Sequence, residues 1–511
     1  MSLTSFLFII LFILSLGIYY ITPKRYQWCA LLFFSISFFA ACCKPWTIVY
    51  VIVSTVSARI TCNAIHSNRS IWDEKKLKRC LAAGLAVNLG ILCLLKYLNF
   101  FIFNIDSLLS VFGMQGIPLT DLAAPIGVSF YTLQTVAYIL DVYWGITEPQ
   151  EGYLKTALFI GYWPQLVSGP IARYSDMKDR LFEGHEFSWH NVTFGLQRML
   201  WGIFKSLVLS NRLGVMVDTI YGDIKRFNGF YIWFAAGIFM FQLYTNFSGC
   251  MDIVIGASEC YGIVLPENFK TPFFSRSVQE YWQRWHITLG GIMRDYVLNP
   301  LLRSGGFRKL TKKIKEKWGR KASVQIPSNL AMLIVWLLMG LWHGGDWKFI
   351  IGMGMWFWLC IVLARMTEPV LNKAVKFLRI NTKTFSWHLF QSLRVFMLAA
   401  IGNMFFRIES FKDTLRAIKQ GFSHWNPWIF FDGSLYGLGI SDKEFRITFA
   451  GLILLLTVSV LQEKRGSVRE LISEQNFVFR WIIYLLLIYA IIVYGTYGPG
   501  YEAQTFIYGN F

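Results

Sequence analysis

The sequence predicts an all-α polytopic membrane protein with about 11–13 transmembrane helices. Two observations carry this. Hydrophobic residues make up 55% of the 511-residue chain, aromatics 17% and charged residues 15%, whereas a soluble domain carries about 25% charged residues. Apolar runs of spanning length also recur from one end to the other. Lipid offers no hydrogen bonds to the backbone, so such runs become helices.

The spanning segments fall at 3–21, 28–43, 47–60, 80–101, 123–145, 192–217, 229–260, 327–343, 348–366, 386–406, 445–461 and 481–496. Residues 155–175 and 270–300 are apolar but interrupted by Pro, Gly and charge, and read as re-entrant or interfacial segments. No Lys or Arg precedes Lys24. A cleaved leader has a basic start, so 3–21 reads as a first transmembrane helix. There is no internal repeat, low-complexity linker or soluble catalytic domain. Residues 1–511 are expected to form a single integral membrane domain, with its chemistry inside the bundle or at its face.

The net charge is +19, but the cations gather between apolar runs. That is the pattern of cytoplasmic loops rather than of nucleic-acid binding. The groups are Lys24–Arg25, residues 59–79, a dense run at 303–321, residues 373–383 and residues 464–480. Alternating the helices from these loops puts the N-terminus outside. Residues 97–154 and 481–511 contain no Lys or Arg and are also placed outside. Segment 407–443 falls outside on the same map, against its several cations. The nine cysteines form no CxxC pair, so neither zinc nor a disulfide framework is expected.

Seven histidines are the main candidates for chemistry. His66, His185, His190 and His424 lie in polar loop sequence, and His388 starts a helix. His343 is different. It sits in Gly340-Leu341-Trp342-His343-Gly344-Gly345-Asp346-Trp347, between two apolar segments. An ionisable residue there is a functional candidate by default, and Gly344 and Gly345 let the backbone turn sharply. A neutral buried imidazole can act as a general base. The residues alone leave that role level with a histidine hydrogen-bonded across helices. His286 lies in the aromatic and cationic stretch Glu280-Tyr281-Trp282-Gln283-Arg284-Trp285-His286, which by itself reads as interfacial. Downstream, Arg294 and Asp295 are neighbours in sequence and are expected to pair elsewhere rather than with each other. G-x-S-x-G, Walker, HExxH and dinucleotide motifs are missing.

Both histidine segments, taken with Pro125-Ile126-Gly127-Val128-Ser129-Phe130-Tyr131, resemble the membrane-bound O-acyltransferase family, in its bacterial branch of polysaccharide acetylases and teichoic-acid D-alanyl transferases. Further pieces are Trp163-Pro164-Gln165-Leu166-Val167-Ser168-Gly169-Pro170, Asn246-Phe247-Ser248-Gly249, Leu265-Pro266-Glu267-Asn268-Phe269 and Phe506-Ile507-Tyr508-Gly509-Asn510-Phe511. The resemblance runs over roughly the whole chain through their order and spacing. It implies a ring of tilted helices around a thin core with a funnel on each face. It places the two family histidines, both catalytic candidates, at His343 and His286. Two departures stand out. Asn246 replaces an aspartate of the family pattern, and Pro300-Leu301-Leu302-Arg303-Ser304-Gly305-Gly306 replaces a shorter Pro-Leu-Gly-Gly.

The reaction implied is transfer of a small acyl group, acetyl by preference, from a cytoplasmic thioester to a hydroxyl of an extracytoplasmic polysaccharide or of a partner acetyltransferase that relays it. The donor is acetyl-CoA or an acyl-carrier protein, and no cofactor or metal is bound. His343 is the expected base, and His286 positions the donor or stabilises the intermediate. Run 303–321 either attracts an anionic donor or only orients the chain. Alternatives are D-alanyl transfer to a cell-wall polymer, a flippase for a lipid-linked sugar, and a scaffold that recruits an extracellular acetylase.

Overall fold

A computed structural model describes residues 2–114, 116–167 and 169–498. Ser168 and the closing motif 506–511 therefore lie outside the described residues. Within them the chain is all α, apart from an isolated bridge between Phe269 and Trp285. Ten helices among the described residues are long and apolar enough to cross a membrane, and Phe6–Ile21 is a shorter apolar helix of 16 residues. The protein is thus a polytopic membrane protein. Segment 123–145 starts later than its hydropathy suggests, as the 17-residue helix Val128–Trp144. Pro118 and Pro125, which lack the N–H a helix needs, keep the preceding stretch out of the helix.

The chain divides into two compact units. The first comprises residues 2–203 and Cys250–Glu267. Helices Phe6–Ile21 and Glu74–Leu92 begin where a side chain satisfies a free N–H of the first turn. Ser5 accepts from Phe8 N, and Asp73 from Lys76 N at 2.7 Å. The core is aromatic. Trp163 is fully buried among Phe8, Phe34 and Phe38, with ring centroids 5.2–5.5 Å apart. Two of the family-like segments meet in this unit. Gly127, at φ 71°, packs so close to the Leu166 carbonyl that no Cβ would fit. Gln134 donates to the Gln165 side chain at 3.1 Å. Residues 125–131 and 163–167 are therefore packing partners. Arg198, in a span, is held by Asp252 at 2.9 Å and Glu267 at 2.6 Å. A buried cation needs such neutralisation.

The second unit comprises Phe204–Gly249 and residues 268–498. Into it runs most of the 31-residue helix Phe230–Cys260, which rises about 46 Å and is almost wholly enclosed by protein. Helix Phe477–Tyr494 is the opposite case, with no buried residue and Leu485, Leu486 and Ile492 bare. A surface this apolar needs lipid to cover it.

Two expectations are corrected here. The basic run 303–321 is not an irregular loop. It belongs to helix Gly305–His343, which breaks once at Gly319, φ 78° and ψ −179°. Lys and Arg are good helix formers, and Phe307, Leu310 and Ile314 recur at helical spacing, with Ile314 buried while the cations stay exposed. Hydropathy alone marks only the apolar arm. Arg294 and Asp295 do pair with each other, Nε to Oδ1 at 2.9 Å. They lie in a π-helical segment, Met293–Leu298, and the long exposed guanidinium stem curls back to its neighbour.

The charge map makes a direct expectation. Single cysteines placed at Arg308 or Lys312 are shielded from an impermeant thiol reagent on intact cells, and cysteines at Ser107 or Ser110 are labelled. The reverse pattern overturns the orientation.

Candidate active site

Of the seven histidines only His286 and His343 are buried. His66, His190 and His424 are exposed, and His185 and His388 are half-buried. Both buried residues lie in the second unit.

His286 is held by two extended strips of backbone. Lys270 N donates to Arg284 O at 2.9 Å, and Ile287 N to Asn268 O at 3.0 Å. Arg284 is clamped by Glu280 and Glu463, each at 2.8 Å, and Glu463 also accepts from Thr271. The chain then turns at His286 itself, which has φ 49° and ψ 51°. This left-handed conformation is rare outside glycine and costs about 1–3 kcal/mol. Asn268 supports it. Its Oδ1 accepts from Thr288 N at 3.1 Å, from Thr288 Oγ1 at 3.0 Å and from the His286 ring at 3.2 Å. An atom that takes a backbone N–H is the amide oxygen, so the His286 Nδ1 donates and Nε2 is the basic nitrogen. Burial holds this imidazole well below its ordinary range, hence neutral at pH 7.

His343 ends helix Gly305–His343, and Gly344 continues in an extended conformation. Asp346 N donates to Gly344 O at 2.8 Å, and Lys348 N to Asp346 Oδ1 at 2.8 Å, before helical chain resumes at Lys348–Met355. The two arms pack backbone to backbone. A Cβ on Gly340 would lie 2.5 Å from the Phe349 carbonyl oxygen, and one on Gly354 would lie 2.6 Å from that of Trp336.

Trp342 brings the two histidines together. Its ring centroid is 5.7 Å from that of His286 and 5.0 Å from that of His343. Phe247 stands edge-on to His286 at 4.8 Å, and Phe406 to His343 at 5.7 Å. The result is an aromatic enclosure holding two imidazoles, suited to moving a proton in a low-dielectric place. Among the described residues, no cluster of three or more His, Cys, Asp or Glu could hold a metal.

Two neighbours of the histidines carry no motif that marks them locally. Asn268 lies in Leu265-Pro266-Glu267-Asn268-Phe269, where nothing in the local pattern singles it out. Lys205, 2% exposed within a span, donates to Ser248 Oγ at 2.8 Å. Its signal was present: Arg198, Lys205 and Arg212 recur every seven residues, along one face of a helix. A hydropathy window absorbs such isolated cations.

Residues 151–313 match the membrane-bound O-acyltransferase family. The chain is 31% identical to the probable alginate O-acetylase of Pseudomonas syringae pv. tomato, over 80% of this chain and 73% of that protein. It is 28% identical to the peptidoglycan O-acetyltransferase of Helicobacter pylori, over 66% and 64% of the two chains. Against the teichoic acid D-alanyltransferase of Bacillus subtilis it is 25% identical over 44% and 55%. On this likeness the chain belongs to the membrane-bound O-acyltransferase family.

With membrane abundance matched, His343→Ala is expected to lower acyl transfer about 10²–10⁴-fold, the usual contribution of a general base. His286→Ala falls severely and His388→Ala little. Near-normal transfer by the His343 variant removes it as the base. Gly340→Ala is expected to lower the thermal midpoint, since forcing atoms into a packed contact costs about 1–3 kcal/mol. An unchanged midpoint would mean that the two arms can separate freely.

Proposed function

We propose that this protein transfers an acetyl group from a cytoplasmic thioester, acetyl-CoA or an acyl-carrier protein, to a hydroxyl of an extracytoplasmic polysaccharide or of a relaying partner protein. The observation that carries the reading is the enclosure of His343 and His286 about Trp342, the two buried histidines of the chain. The relatives' names support the reaction class, since each joins a small acyl group to a polymer. Acetyl is favoured over D-alanyl because the alginate relative matches more of the chain at higher identity.

In this reading His343 accepts the acceptor's hydroxyl proton as the oxygen bonds to the thioester carbon. The carbonyl electrons move onto oxygen. Their return expels the thiolate, which takes the proton back from His343. A thioester is already activated, so the protein's task is to position the carbonyl and stabilise its developing charge. His286, neutral and fixed in one tautomer by Asn268, orients the donor through its basic Nε2 or steadies the intermediate.

The charge map puts the basic segments on the cytoplasmic side, and the turn after His343 on the other. The two substrates then reach one fixed site from opposite faces. A passage narrow enough to exclude ions suits a small acyl group.

Vesicles of known orientation test this. Labelled acetyl thioester on the basic side and a hydroxyl polymer on the other are expected to yield ester, and D-alanyl thioester much less. Ester formed only when both substrates share a side overturns the through-membrane route. Preferred D-alanyl transfer overturns acetyl as the group. Absence of ester with every donor overturns the activity. Mass spectrometry of surface polysaccharide from cells with and without the protein identifies the acceptor.

A further inference from the structure

Lys205 is a buried charged side chain that the acyl-transfer reading does not use. Lys205 lies within the span Trp189–Gly222 and is 2% exposed. A cation at such a depth is costly, and by default marks function rather than stability. Its ammonium donates to Ser248 Oγ at 2.8 Å and sits 5.6 Å from the centre of the Tyr244 ring.

The surroundings of that contact are those of His286. Tyr244, Phe247 and Ser248 stand three and four residues apart on helix Phe230–Cys260, and so share a face. Phe247 touches the His286 ring at 4.8 Å. The Tyr244 ring lies 5.7 Å from that of Phe269 and 6.1 Å from that of Trp285, the bridged pair beside His286. Ser248 is thus one residue from the ring that touches His286, and it accepts from Lys205.

Local helix geometry points the same way. Lys205 opens a π-helical segment, Lys205–Ser210. The other two π segments of this unit, Met293–Leu298 and Lys348–Met355, follow His286 and His343 within a few residues. A π turn inserts a residue, re-aims the side chains around it and is frequent at functional sites. All three therefore lie beside a buried titratable side chain.

We propose that Ser248, polarised by Lys205, is the hydrogen-bond donor that receives the thioester carbonyl oxygen as it becomes an oxyanion. This rests on the acyl-transfer reading above. The Lys205 bond occupies a lone pair of Ser248 Oγ and leaves the Ser248 O–H as a donor. As the acceptor oxygen bonds to the carbonyl carbon, its proton goes to His343 and the carbonyl π electrons move to oxygen. Ser248 donates a hydrogen bond to that oxygen and keeps its own proton. When the carbonyl re-forms, the C–S bond breaks and the thiolate takes the proton from His343. Lys205 does not touch the substrate. It is a positioning residue that strengthens the donor, and its fixed charge is most effective in the low dielectric where the oxyanion forms.

The test uses the full chain in lipid vesicles with labelled acetyl thioester and a hydroxyl acceptor. Ser248→Ala is expected to lower kcat about 10²–10³-fold, the effect of removing one such donor, with the donor KM changed less than about threefold. Ser248→Thr, which restores a hydroxyl, recovers most of the rate. Lys205→Met lowers kcat similarly, and the double variant is no slower than the slower single variant, because the two act as one unit. Thermal midpoints followed by tryptophan fluorescence accompany each rate. A kcat for Ser248→Ala within about threefold of the parent overturns the proposal. So does a loss that follows a fallen midpoint and is not recovered by Ser248→Thr. If the parent is active and His343→Ala is not, while Ser248→Ala is normal, this inference alone falls. If His343→Ala remains active, the base assignment falls and takes this inference with it.

Discussion

A polar side chain at bilayer depth has to be enclosed by protein, because lipid returns none of the hydrogen bonds that water gave it. The second unit is organised around that constraint. His286, His343 and Lys205 are each almost fully buried, and each is walled by aromatic rings: Phe247, Trp342, Phe406 and Tyr244. Aromatic side chains bury large area at little conformational cost, and their edges and faces tolerate a neighbouring charge. In the first unit Arg198 is handled by two carboxylates instead. Lys205, in the second unit, rests on the Ser248 hydroxyl and the Tyr244 ring.

The family-like segments sort by this division. Residues 125–131 and 163–167 lock to each other in the first unit through Gly127, Leu166, Gln134 and Gln165. They form scaffold. Segments 246–249 and 268–269 reach His286 through Phe247 and Asn268. Segments with equal weight in the sequence thus have unequal standing in the site. Asn246 departs from the family pattern at a place adjoining this wall, so the departure concerns the setting of His286 rather than that of His343.

Much of this was legible in the chain. Ten helices at or near the apolar runs, and the singular position of His343 between two of them, follow from hydropathy and from the cost of a buried imidazole. His286 was legible only by resemblance, because its neighbours Glu280, Arg284 and Trp285 look interfacial. What fixes it is Asn268, eighteen residues away in the chain, a long-range contact that no local pattern records. The helical course of 305–318 was hidden because its cations interrupt the hydropathy while favouring the helix. The Arg294–Asp295 pair was misjudged because regular α geometry was assumed where the chain is π-helical.

The left-handed backbone at His286 shapes how this position can change through descent. It is subject to two demands at once, one from the ring and one from φ 49°. Glycine, asparagine, aspartate and histidine meet the second at modest strain, while alanine and the branched residues do not. A lineage that no longer needed the imidazole would therefore not wander freely among small apolar residues. It would settle on glycine or asparagine, because the geometric demand outlives the chemical one. The position would keep its left-handed turn whichever of these residues it carried.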